Sequence, residues 1–419
     1  MPIFKKILNS NLAFGIFVAI FIIAMAFVAC DRGGKDLKVF LFGAEQTLGK
    51  QSPYINPTDP NRTIFLYAPG FTILLYPFIL KAKMVAPFEF TGIAPSVLLW
   101  YAVKIILLLL TLLILLKIVP GVSKQRSLRN LKLSILMSIP WIGYELSNSQ
   151  NKLIALFFIV LAIWLFEKDK LLVSAISFCI ALTIYVPLIF FALYFLIKKK
   201  FRFLISFFAA VIIVFFIVPS LAFGFKFNLF LLKDWFTHAI QPFSFAKSYA
   251  AYIDLRVSSQ SLPSAVGRIF VSGNTEEGFK YFISPLAIHM IIRAASAIII
   301  LLSCLAVWKN SKQIHKPIGY AIFLILALIL PQYCIYYTCA WFLVLYFIVF
   351  NYTDFPEVPV KEKKLMLGLV IFSFLTIFLI ALPLAKHLSF IFWSTFILWS
   401  GLVTVILRIN KVNLSKATT

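Results

Sequence analysis

NLAFGIFVAIFIIAMAFVACDRGGKD, residues 11–36, begins with an unbroken apolar run, Leu12 to Ala29, and ends in two acids and two bases. The run is the length of a membrane span, which needs about 17–25 residues. A secretory apolar core is shorter, about 7–15 residues. Phe27-Val28-Ala29-Cys30 looks faintly like a lipoprotein cleavage box, but the length of the run reads as a retained first span. Lys5 and Lys6 precede it and hold the N-terminus in the cytoplasm, so Asp31 onward emerges outside.

The rest of the chain has the same character. Of its 419 residues, 62% are hydrophobic and 13% charged, against about 45–50% and about 25% in soluble domains. One soluble core cannot hide that much apolar surface. The composition excludes a soluble enzyme, a disordered chain and a collagen-like fibre. Long apolar runs favour helices over an outer-membrane barrel, whose strands alternate apolar and polar residues. The net charge of +24 sits in basic clusters between apolar runs. Such clusters orient spans in the membrane, and nucleic acid is not the expected partner. The five cysteines form no CxxC pair and the four histidines no ligand spacing, so neither a disulfide framework nor a metal site is expected.

Further spans read as Pro95–Leu116, Leu131–Leu146, Leu153–Phe166, Phe203–Phe223, Leu286–Trp308, Pro317–Leu330, Tyr333–Phe350, Leu365–Leu384 and Leu388–Leu407. Leu171–Ile197 is long for one helix and short for two. Pro187 inside it predicts two short helices that meet at the proline. The run Ile64–Leu80 contains Pro69, Gly70 and Pro77. If it does not cross, the basic clusters of the short loops all fall on the cytoplasmic side. The expected fold is all-α: a polytopic membrane protein of about 12 transmembrane helices, both termini cytoplasmic. It forms one transmembrane domain over residues 1–419. A first outer loop, 31–95, carries interfacial or re-entrant helices, and a second large outer loop covers 224–284.

A membrane enzyme acting outside needs its acids there. The outer carboxylates include Asp31, Asp36, Asp59, Asp234 and Asp254. Asp36 lies at the depth where a lipid-borne substrate presents its head group, and a carboxylate there can serve as a general base. It can equally be a solvated loop acid among Arg32, Lys35 and Lys38. Arg268, after Ser259-Gln260-Ser261-Leu262, can fork onto phosphate oxygens or sit as an ordinary interfacial arginine. Tyr54 and Tyr67 read as interfacial aromatics. Lys104, Glu145 and Arg293 lie within spans, where charge is costly and often functional.

Several of these stretches occur in a familiar order. Asp36-Leu37-Lys38-Val39-Phe40, Gly43-Ala44, Leu48-Gly49, Pro53-Tyr54, and Leu66-Tyr67-Ala68-Pro69 with Leu74–Pro77 stand in the first part. Ser149-Gln150-Asn151, Tyr185-Val186-Pro187-Leu188, and Ser259-Gln260-Ser261-Leu262 with Arg268 follow. The set, over roughly Asn11 to Phe350, resembles the bacterial polyprenyl-phosphate-mannose-dependent mannosyltransferases, glycosyltransferase family 87, of glycosyltransferase-C architecture. Departures are visible. Ser149 stands where glycine is usual, Ser259 where asparagine is usual, and Thr183 near the place of a usual lysine. Tyr333–Tyr337 replaces a late histidine-bearing motif.

The resemblance implies a multi-pass enzyme of the cytoplasmic membrane with its active site facing outward. It implies transfer of a sugar, mannose by likeness, from a polyprenyl-phosphate donor to a glycan or glycolipid acceptor, with inversion. No metal, nucleotide or other cofactor is implied, and the remaining partners are membrane lipids. Asp36 becomes the expected general base. Arg268, Gln260, Ser259, Tyr54, Tyr67 and Gln150 become expected donor-binding residues. Two other classes stay open: a 12-span secondary transporter, and a flippase or polymerase of lipid-linked glycans. Against the transporter, no pair of similar halves is seen, and acids at span centres are few.

Overall fold

Helix α1, Asn11–Asp31, begins where the Ser10 side chain accepts the Ala13 N–H at 3.2 Å. Gly33 and Gly34 end it by turning at φ +58° and +63°, a left-handed conformation that costs glycine little. The computed structural model describes residues 10–54, 65–84, 95–119, 121–240, 258–274, 278–309, 313–332, 334–379 and 382–417. Asp59 and Asp254, two of the outer acids, lie outside those residues.

The chain folds as two compact units. The first comprises Met1–Ile118, Leu131–Val186 and Arg202–Ala246; the second comprises Val119–Asn130, Pro187–Phe201 and Lys247–Thr419. In chain order α1 is followed by α2 (Leu37–Leu48), α3 (Pro69–Met84), α4 (Pro95–Ile118), α5 (Lys124–Ser147), α6 (Lys152–Glu167) and α7 (Leu171–Ile184). A 3-10 turn, Val186–Ile189, then leads into α8 (Phe190–Ile197). The expected break in the 171–197 run is therefore present, with Pro187 in the turn.

In the first unit α6 packs between α4 and α7, while α2 lies on α3 and α3 on α4 and α7. Most of α6 is buried, as an apolar helix with no polar face must be. The unit has two chemically different ends. At one end are the turns Arg32–Asp36 and Ser147–Lys152, with the Trp100 indole donating to the Ser149 carbonyl at 2.9 Å. At the other end α4 finishes with Lys117, whose ammonium sits 5.7 Å over the Trp164 ring of α6, and Lys168 and Lys170 follow the end of α6.

The unit continues through α9 (Phe201–Val211), a widened π turn over Ile212–Ile217, α10 (Val218–Phe223) and α11 (Phe225–Trp235). Pro219 has no N–H to give the carbonyl four residues back. In an apolar surround that carbonyl needs another donor. The fully buried Asn228 amide supplies it, donating to the Phe215 carbonyl at 3.1 Å and the Phe216 carbonyl at 3.3 Å.

The second unit contains α12 (Leu262–Phe270), strands β1 (Val271–Asn274) and β2 (Gly278–Tyr281), α13 (Pro285–Lys309) and α14 (Lys316–Ile329). A 3-10 stretch Tyr336–Trp341 precedes α15 (Phe342–Thr353), and α16 (Val360–Leu379), α17 (Pro383–His387) and α18 (Phe390–Ala417) follow. Its core is α14 and α15, buried all round from Pro317 to Ile329 and from Phe342 to Thr353. Tyr194 of α8 packs on Tyr320 of α14 with ring centroids 4.8 Å apart. The antiparallel hairpin β1–β2 is a departure from the all-α expectation. It sits inside the loop read as outer, where no hydrophobic period announced it.

Among the described residues, six helices are long and apolar enough to cross a membrane: Asn11–Asp31, Pro95–Ile118, Phe201–Phe223, Pro285–Lys309, Tyr336–Thr353 and Phe390–Arg408. The other expected spans are shorter or charged at one end. Helix α7 has 14 residues, about 21 Å at 1.5 Å per residue; α5 begins with Lys124, Arg126, Arg129 and Lys132. Helix α1 leaves Leu12, Ile16, Ile20, Ile23 and Phe27 exposed in a stripe at three- and four-residue spacing, a face suited to lipid. Several apolar helices of this kind make the chain a multi-pass membrane protein.

Candidate active site

The first unit builds a polar cluster around Asp36 by backbone geometry. After α1 the chain must reverse within Arg32–Lys35. An added Cβ at Gly34 would stand 2.7 Å from a Val97 methyl, so only glycine lets the turn lie this close to α4. Arg32 fixes the turn from outside by donating to Ser147 Oγ at 3.3 Å and Asn148 Oδ1 at 3.2 Å. The Asp36 N–H donates to the Asn148 carbonyl at 3.2 Å.

Asp36 occupies the cap position of α2, yet its side chain accepts no capping hydrogen bond. The carboxylate turns instead to Gln150, whose Nε2 donates to Oδ2. Among the described residues Oδ1 has no hydrogen-bond partner. An acid used as a cap would normally be spent on N–H groups. This one is held at one oxygen and open at the other.

Gln150 reaches Asp36 because Ser149 adopts φ +55°. That left-handed backbone suits glycine better than any other residue. Serine accepts the strain, and the Trp100 indole holds its carbonyl. Asn151, next in line, is fully buried, and among the described residues neither its amide N nor its O has a partner, nor does Gln150 Oε1. An orphaned buried polar group costs about 1–3 kcal/mol, so the turn is polar beyond what its own packing satisfies.

An aromatic floor adjoins the cluster. The Tyr67 ring packs against Phe40 at 5.1 Å and Phe71 at 5.0 Å. The Lys152 ammonium lies 5.2 Å from the Tyr67 ring centre and 4.7 Å from that of Tyr185. Ring faces stabilise a cation without cancelling its charge. Tyr54 is buried, with its hydroxyl donating to the Tyr67 carbonyl at 2.8 Å. Burial, with the Asp234 charge adding, pushes the Tyr54 phenol well above its usual range and keeps that proton in place.

Burial raises the Asp36 carboxyl above the ordinary carboxylate range. The Gln150 amide and the charges of Lys35, Lys152 and Lys104 oppose it. Desolvation wins, which moves a carboxylate toward the basicity a general base needs.

The second unit holds the other expected residues. Ser259, Gln260 and Ser261 are buried and stitched to the segment before α15. The Gln260 N–H donates to the Cys334 carbonyl at 2.7 Å, and Ser261 Oγ to the Gln332 carbonyl at 2.8 Å. Ser261 caps α12 by accepting the Ser264 N–H, and Ser259 Oγ pairs with Ser264 Oγ at 2.7 Å. The Gln260 amide donates to the Lys386 carbonyl at 3.3 Å. Arg268, in the last turn of α12, is half-buried. Its Nη2 donates to the Ser259 carbonyl at 2.6 Å and its Nε to Ser389 Oγ at 3.0 Å. The Ser259–Leu262 element therefore serves as a cradle for the guanidinium.

So the structure gathers Asp36, Gln150 and Tyr67 with Lys152 in one unit, buries Tyr54 beneath Tyr67, and sets Arg268, Ser259 and Gln260 together in the other. Lys152 and Trp100 were missed in the sequence. A lysine opening an apolar run, directly after Gln150-Asn151, was the available signal, since charge at a span end usually has a reason.

The profile of glycosyltransferase family 87 matches residues 65–331, well over half of the 419-residue chain. No curated protein and no solved structure matches. The match takes in Tyr67, Gln150–Lys152, Tyr185 and the Ser259–Arg268 element. Asp36 lies upstream of it, joined to the matched region by its bonds to Asn148 and Gln150. The chain belongs to glycosyltransferase family 87.

Proposed function

We propose that this membrane glycosyltransferase moves a hexosyl unit, mannose by family likeness, from a polyprenyl-phosphate carrier to a hydroxyl of a glycan or glycolipid. The reaction takes place on the outer face of the cytoplasmic membrane. The chain crosses that membrane twelve times, with both termini inside. Asp36 is the general base. Its Oδ1 takes the proton of the acceptor hydroxyl as that oxygen bonds to the anomeric carbon. The bond from that carbon to the phosphate oxygen breaks on the opposite face, which inverts the configuration and releases polyprenyl phosphate. Arg268 receives the phosphate charge, with Ser259 and Gln260 shaping its cradle; Tyr67 and Gln150 line the donor, and Tyr54 braces Tyr67. Neither metal nor nucleotide takes part.

The observation that carries this reading is the half-free, half-buried carboxylate of Asp36. The test is transfer of labelled sugar from a polyprenyl-phosphate sugar by purified protein with no ion gradient. A protein that moves lipid-linked sugar across a vesicle but never onto an acceptor would overturn it.

The pH profile is a second check. The base works only when ionised, so kcat/KM should fall with acid through the raised pKa of Asp36, above the ordinary carboxylate range. Gln150 donates to the ionised form, so Gln150→Leu should move that acid limb to still higher pH. An acid limb unmoved by Gln150→Leu would sever the two residues functionally.

Sidedness can be read within the first unit alone. A single cysteine at position 36 should react with an impermeant reagent from outside, and one at position 168 only from inside. This follows from the basic residues at the end of the unit opposite Asp36. Labelling of both from one side would sink the twelve-crossing topology.

A further inference from the structure

We propose that the buried pair Lys104–Glu145 positions Asp36 for proton transfer, acting through the Ser147–Lys152 turn. The inference rests on the reading of Asp36 as base.

Both partners are fully buried, with Lys104 Nζ 3.1 Å from Glu145 Oε2. Lys104 lies on α4, which is long and apolar enough to cross a membrane. An apolar pair of similar volume is commonly as stable as a buried ion pair, or more so. Charge in such a place therefore calls for a purpose other than stability.

The hydrogen bonds give that purpose a direction. Lys104 also donates to the Glu145 main-chain carbonyl at 3.3 Å, so it grips the residue twice. The same carbonyl accepts the Gln150 N–H at 3.2 Å. The other carboxylate oxygen, Oε1, accepts the Leu153 N–H at 3.3 Å. Glu145 thus holds the Gln150 N–H and, past the end of the turn, the Leu153 N–H, and the Gln150 side chain ends on Asp36 Oδ2. Trp100 lies four residues before Lys104, on the same face of α4, and holds the middle of the turn at the Ser149 carbonyl. The α4 face therefore holds the turn directly through Trp100 and indirectly through Lys104 and Glu145, and among the described residues Gln150 is the side chain of the turn that hydrogen-bonds the base. Lys104 and Glu145 touch no reacting atom in this scheme; they are positioning residues.

The experiment uses the full-length protein in lipid nanodiscs with labelled polyprenyl-phosphate sugar. Lys104→Met with Glu145→Gln removes both charges while keeping the Oε1 acceptor for Leu153. Kcat should fall about 10- to 100-fold, the scale of a small misplacement of a reacting group. KM should stay within about threefold and melting near that of the parent. In a Gln150→Ala background the same two changes should cost clearly less than in the parent, because the hydrogen-bonded route to Asp36 is already cut and only the loss of the Lys104 charge near Asp36 remains. Trp100→Phe keeps an aromatic face but loses the indole N–H and leaves a small cavity, so its melting is read beside its kcat. It should show a smaller kcat loss with the same non-additivity, and it serves if the charge variant does not fold. Kcat within about threefold of the parent, or equal losses in both Gln150 backgrounds, would overturn the proposal. Asp36→Asn run alongside separates the two ideas. If it is inactive while the pair variants are normal, only the positioning role falls. If it is active, the base assignment falls and takes the positioning role with it.

Discussion

Asp36→Asn protein should insert and fold like the parent yet transfer sugar about 10²- to 10⁴-fold more slowly, the usual contribution of a positioned general base. The amide keeps the size of the side chain and can still meet Gln150, but it cannot take a proton at neutral pH. Folding should survive because Asp36 caps nothing with its side chain and forms no ion pair among the described residues. The backbone bond to Asn148 is untouched by the change. Asp31→Asn should do far less: Asp31 ends α1 and is exposed. Asp36→Glu should also be poor, since one methylene drives the carboxylate past the place that Gln150 and the Gly33–Gly34 turn define. Turnover of Asp36→Asn near that of the parent, with unchanged melting, would send the search for a base to Asp59 or Asp254.

The second large effect is expected at Arg268. Arg268→Ala should weaken use of the lipid-linked donor about 10- to 150-fold, corresponding to about 1.5–3 kcal/mol for a charge-assisted contact. Arg268→Lys should recover only part of it. Lysine keeps the charge, but the planar fork now seated on Ser259 and Ser389 is lost. The loss should appear as a changed dependence on donor concentration. Unchanged donor dependence in both variants would leave Arg268 a structural tie between α12 and the start of α18.

Much of this was legible along the chain because membrane helices declare themselves by length and apolarity. α1, α4, α9–α10, α13 and α18 lie close to where their runs predict. Pro187 announced its break because a missing N–H is a local fact. Asp36 and Gln150 were legible as separate motif members, but their hydrogen bond was not. It depends on a left-handed Ser149, which serine does not advertise as glycine would. Lys104 and Glu145 were visible as charges inside apolar runs, yet pairing across two helices is a tertiary matter. Tyr54 shows the opposite failure. Pro-Tyr in an outer loop reads as an interfacial aromatic, whereas the fold buries it under Tyr67. The β1–β2 hairpin has too few residues to express any period.

Pro219 and Asn228 carry a consequence for how this sequence can change over evolutionary time. The proline strands a carbonyl, and the asparagine nine residues later rescues it. Asn228 cannot drift alone. Loss of Asn228 while Pro219 remains leaves the carbonyl bare in an apolar surround. Loss of Pro219 restores a main-chain donor and still leaves the Asn228 amide its bonds to the Phe216 carbonyl and Ser220 Oγ. The pair is a one-way epistatic lock: Asn228 should be kept wherever Pro219 is kept among descendants of this chain, and the order of steps passes through Pro219 first.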